Sequence, residues 1–123
     1  MEISEADRKQ ILKDCLRIID RLCDIEYLRK AWIRGEDPNW VDYDEIVCTL
    51  SPELDWILEK YKYFFVSDIQ CLILKEFRDE FDAFKDTTPM INYHHDFIES
   101  REWKRVMESG KDVLEVFKYK KTL

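Results

Sequence analysis

The chain has 123 residues, 20 Lys and Arg against 27 Asp and Glu, and a formal net charge of −7. Two glycines, three prolines and 46% apolar residues exclude a disordered tail, a collagen-like repeat and a sheet built on glycine turns. What remains is one globular domain over residues 1–123, long enough to bury roughly two-thirds of its unfolded surface without staples.

Met1 to Asp7 carries no basic run followed by an apolar one, so no secretory signal is expected, and no stretch approaches about 18 uncharged apolar residues. Cys15, Cys23, Cys48 and Cys71 are spaced too irregularly for a zinc pair or a short disulfide framework. Four reduced thiols in a cytoplasmic protein are the expectation.

From Ser4 to Arg34 the positions Ile11, Leu12, Cys15, Leu16, Ile19, Leu22 and Cys23 recur at steps of three and four, and Leu28, Ala31 and Trp32 extend them. The spacing predicts one helix, capped by Ser4, ended by Gly35 and Pro38, with Arg29, Lys30 and Arg34 near its carbonyl end. A second periodic run, Val47, Leu50, Leu54, Ile57, Tyr61 and Phe64, is interrupted by Ser51-Pro52. We favour a fresh helix capped by Ser51 after a short helix at Asp44 to Leu50; one longer kinked helix, or a strand at Glu45 to Leu50, are the alternatives. Ser67 opens a third helix through Ile69, Ile73, Phe77, Phe81 and Phe84, closed near Pro89. Asp96-Phe97-Ile98-Glu99 has the form of a capping box ahead of a fourth, with Trp103, Val106, Met107, Gly110, Val113, Leu114 and Phe117 inward. Gly110 on that apolar face predicts a close helix crossing, and Lys118, Lys120 and Lys121 suit a helix end. The expected fold is all-α, a four-helix bundle-like single domain with a break or kink near Ser51-Pro52.

Catalytic signatures are sparse. Two glycines 75 residues apart form no phosphate-cradling loop, and there is no His-Glu-x-x-His or Glu-x-x-His. His94 and His95 sit together in a loop and read as ordinary loop residues. Glu76-x-x-Asp79, with Glu80 placed inward between Ile69 and Ile73, supplies an alternative: a Mg²⁺-dependent nucleotide hydrolase using Glu76, Asp79 and Glu80. Structural salt bridging is the favoured use of these acids, so no cofactor and no catalytic residue are expected.

Charge distribution is the strongest feature. Glu36, Asp37, Asp42, Asp44, Glu45, Glu53, Asp55 and Glu59 occur with no Lys or Arg among them, while the rest of the chain sets 19 acids against 20 bases. Trp40, Tyr43, Trp56, Tyr61 and Tyr63 are interleaved. With Leu54 as the inward reference, Asp55, Trp56, Glu59 and Tyr63 rotate to about 100°, 200°, 140° and 180°, facing outward. The predicted partner-binding set is therefore Glu36, Asp37, Trp40, Asp42, Tyr43, Asp44, Glu45, Glu53, Asp55, Trp56, Glu59 and Tyr63. Negative potential repels nucleic acid and anionic membrane and attracts a basic protein.

A small, acidic, helical chain with such a stretch resembles the immunity proteins that bacteria keep against nuclease toxins, and Asp96 to Trp103 leading into Val106 and Leu114 is similar to helices of those proteins. The resemblance implies carboxylates that cover a cationic groove by imitating a phosphate backbone. The expected function is a non-catalytic inhibitor of a basic nuclease toxin; a structural adaptor or dimerising bundle is a further alternative, and self-association is left open.

Overall fold

Ser4 caps the first helix as its position predicts, its Oγ accepting the Asp7 N–H at 3.1 Å at the head of α1, Glu5–Leu22. The structure, a computed structural model, describes residues 3–33, 43–87 and 98–120; all regular structure among them is helical, with no strand.

α1 is shorter than expected. It ends at Leu22 with Cys23 as its cap, because the Asp24 carboxylate accepts the Tyr27 N–H at 3.1 Å and starts a new short helix, α2, Ile25–Leu28. A short side chain with an acceptor offers the backbone an alternative to continuing the helix. A π-helical turn at Arg29–Ile33 follows. Arg29 consequently does not sit at the end of α1 but bridges Glu26 at 2.7 Å and Glu99 at 2.5 Å. Arg34, Gly35 and Pro38 lie outside the described residues.

The favoured fresh start at Ser51 is also corrected: α3 runs unbroken over Tyr43–Glu59 with Pro52 inside it. Asp44 to Leu50 is thus helix, not strand. Pro52 and Cys48 are both exposed, so the carbonyl that proline leaves unpaired four residues back lies on the hydrated side of the helix. Ser51 is not a cap; its hydroxyl lies 3.3 Å from Asp82 on the next helix.

α4, Asp68–Thr87, begins in a true capping box: Ser67 Oγ accepts the Gln70 N–H at 3.1 Å, and Gln70 Oε1 accepts the Ser67 N–H at 2.9 Å. α5, Arg101–Val116, starts at Ser100, whose Oγ accepts the Trp103 N–H. The helix holding Trp103 therefore begins after Ser100 rather than at Asp96, which lies outside the described residues. Nor do Lys118 and Lys120 occupy its last turn, and Lys121 lies outside the described residues. Lys118 adopts left-handed backbone (φ 51°) and Tyr119 N–H reaches back to Leu114 O, a Schellman ending. The corner after α3 uses the same device with Phe65 (φ 62°) and a Val66 N–H to Tyr61 O bond.

Helix contacts run in a closed ring, α1 to α3, α3 to α4, α4 to α5, α5 back to α1, with α4 and α5 the most extensively joined. Ser51 and Asp55 meet Asp82 and Arg78, while Gln70 meets Val116 and Phe84 meets Trp103, so α3, α4 and α5 run antiparallel to their neighbours. Leu16, Ile19, Leu54, Ile57, Phe77, Phe81, Trp103 and Val113 fill the shared core. Gly110 is the close crossing its position predicts. It is buried where a Cβ would collide with Cys23 Sγ and lie 3.3 Å from Ile19 and from Phe77.

Candidate functional site: the outer face of α3

Of the twelve residues predicted to bind a partner, Glu36, Asp37, Trp40 and Asp42 lie outside the described residues, and Tyr43 and Asp44 are placed as the first turn of α3. The remaining six separate into two groups. α3 buries Ile46, Leu50, Leu54 and Ile57 against the core, which rotates Glu45, Asp55, Trp56 and Glu59 onto its outer side, where all four are exposed. From Tyr43 to Glu59 the helix carries no Lys or Arg. Trp56 stands at its edge, 37% exposed, its ring edge-on to buried Phe64 with centroids 5.0 Å apart. That contact fixes the indole without hiding it, as an interface anchor requires.

Glu53 and Tyr63 are not part of this face. The chain leaves the helix after Glu59, so helical rotation no longer applies at Tyr63. Its hydroxyl accepts the Ile3 N–H at 3.1 Å and donates to Ile3 O at 3.3 Å, its carbonyl accepts from Arg8, and the Arg8 guanidinium lies 4.2 Å over its ring. Tyr63 ties the start of α1 to the α3–α4 corner and is half-buried in doing so. Glu53 turns toward α1, where partial burial and the Asp14 carboxylate push its acid group up from the ordinary glutamate value.

That shift sets a pH dependence. A carboxyl whose pKa is higher folded than unfolded binds its proton more tightly in the native state, so its contribution to stability falls as pH rises from about 4.5 through the folded value and the cost is fully present above it. Glu53→Gln is therefore expected to raise the Tm at neutral pH by about 1–2 °C. The gain should shrink as pH falls toward 4, in melts followed by circular dichroism; a gain constant across that range would show Glu53 to be unstrained.

Sequence reasoning missed Arg78 of α4. Its guanidinium meets Asp55 at 2.5 Å and Asp79 at 3.0 Å, with Asp82 at 4.0 Å, so it clamps α3 to α4 while three carboxylates share one cation. Asp82, four residues on, was the available signal. Burial pushes the Cys15 thiol far above its usual range, and burial likewise raises Cys23 to about 12 while Lys111 opposes it. Both behave as core groups, not nucleophiles. All four cysteines are free.

The alternative acids Glu76, Asp79 and Glu80 do line one groove beside Glu108 and Asp112 of α5. Yet Glu80 is exposed rather than inward, since Ile69 is exposed and the buried stripe of α4 passes through Leu74, Phe77, Phe81 and Phe84. Among the described residues no three His, Cys, Asp or Glu side chains gather closely enough to hold a metal ion. No helix among them is long and apolar enough to cross a membrane. In comparisons with known proteins, no family model, no curated protein and no solved structure matches this chain.

Proposed function

We propose that this protein is a non-catalytic binding protein, an immunity-type inhibitor that holds a cationic protein partner such as a nuclease toxin domain against the outer face of α3. The observation that carries the reading is the pairing on one face of a half-exposed, pre-positioned Trp56 with Glu45, Asp55 and Glu59, on a helix free of basic residues. Carboxylates held on a rigid helix steer a basic surface into contact, and an indole already fixed by Phe64 loses little freedom on docking.

The test uses a basic partner captured from native lysate on the immobilised chain at low salt and then purified for kinetics. Glu45→Lys with Glu59→Lys is the cleaner charge reversal, because Asp55 also serves Arg78. Association is expected to slow about tenfold at low salt and lose most of its salt dependence. Trp56→Ala is expected to leave association near wild type and speed dissociation by about tenfold or more. Wild-type rates from both variants would end the proposal.

A further inference from the structure

A second surface lies on the opposite flank of α4. The seam between α4 and α5 is open on its outer side as two depressions of about 450 and 530 Å³ that share Glu76 and Asp112 and so form one furrow. Ile73 and Val116 make its apolar end. Its banks are acidic, with Glu76, Asp79, Glu80, Glu108, Asp112 and Glu115 outnumbering Arg105 and Lys118. Ile69 is 67% and Leu72 59% exposed, and their spacing of seven and four residues before Glu76 sets them on the strip of α4 that carries this furrow-lining residue. A lone exposed aliphatic is ordinary, but two on adjacent turns beside an open furrow form a patch that folding does not explain.

We propose that this furrow docks an amphipathic basic helix of a partner protein. The guest's apolar stripe would cover Ile69, Leu72 and Ile73, and its Lys and Arg side chains would meet the carboxylate banks. Charge complementarity selects this occupant. A second copy of the chain brings the same net charge of −7, and a two-fold contact through this face sets acid against acid. The surface is distinct from the outer face of α3: Arg78 and Asp82 occupy the flank of α4 that meets α3 and Glu76 and Glu80 the flank that meets α5, with Asp79 between them lining the furrow and bonded to Arg78.

The probe is a synthetic Leu/Lys peptide of about 18 residues, five helical turns, with Leu at steps of three and four. Controls are the same peptide with Glu for Lys and a scramble that breaks the stripe. Titrated into the isotopically labelled full chain, the Leu/Lys peptide is expected to shift amides across residues 69–80 and 105–118, more weakly as salt rises. Ile69→Ser with Leu72→Ser, and separately Glu76→Lys with Asp112→Lys, should each weaken binding at least tenfold. Glu45→Lys with Glu59→Lys should leave it unchanged, which separates failure here from failure of the α3 reading. Equal binding by the scrambled peptide, or shifts centred on Trp56, would overturn the proposal. So would a dimer of the free chain that Ile69→Ser with Leu72→Ser dissolves, since a second copy would then be the occupant.

Discussion

Trp103→Ala is expected to cost about 3–5 kcal/mol, a large share of the stability of a domain this size. Trp103 is fully buried in the first turn of α5, its ring 5.1 Å from that of Phe84 at an interplanar angle of 63°. The Ser100 cap fixes the backbone immediately before it, so the indole cannot slide to refill the space when truncated. The void opens at the most extensive helix contact in the molecule, α4 against α5. Urea denaturation would show a lower midpoint with an unchanged slope. Trp103→Phe should recover more than half of the loss, and a cost below about 1 kcal/mol for the alanine variant would mean the seam repacks freely.

Gly110→Val is expected to cost about 3 kcal/mol, at the upper end of overpacking. The first added carbon alone runs into Cys23 Sγ, with Ile19 and Phe77 at 3.3 Å leaving no direction of retreat, and the valine methyls add to the conflict. The smaller Gly110→Ala separates two effects, because alanine improves helix propensity by about 1 kcal/mol while its Cβ meets the thiol. Cys23→Ala introduced beside Gly110→Ala should restore much of the stability, since it removes the colliding atom. A double-mutant cycle showing no coupling between the two positions would mean that α5 moves away as a body.

Much of the fold was legible where a residue type has one physical use in its context. Ser4 before an acidic first turn signalled a cap, and a glycine on an apolar helical face signalled a crossing. The errors came where two local rules compete. Asp24 lies within an unbroken apolar period, and only its captured Tyr27 N–H ends α1 there. Pro52 suggested a helix start, but its place on the solvent side let the helix continue. The run Ile69-Gln70-Cys71-Leu72-Ile73-Leu74 is apolar at nearly every step, so periodicity did not tell which side is inward. The structure exposes Ile69 and Leu72 and turns Glu80 out with them. For the candidate site, Glu45, Asp55, Trp56 and Glu59 share an outward face because they lie within one regular helix. Tyr63 lies beyond its end and Glu53 on its α1 side, where the partner that claims each is distant in sequence.

The closed ring of helices has a consequence for biosynthesis. The apolar stripe of α1, through Ile19 and the cap residue Cys23, packs closely against Gly110, in the helix translated after all the others described here. The earliest of the described helices is therefore covered only in part, by α2 and then α3, until α5 emerges from the ribosome. Chaperone capture during translation should accordingly concentrate on this first helix.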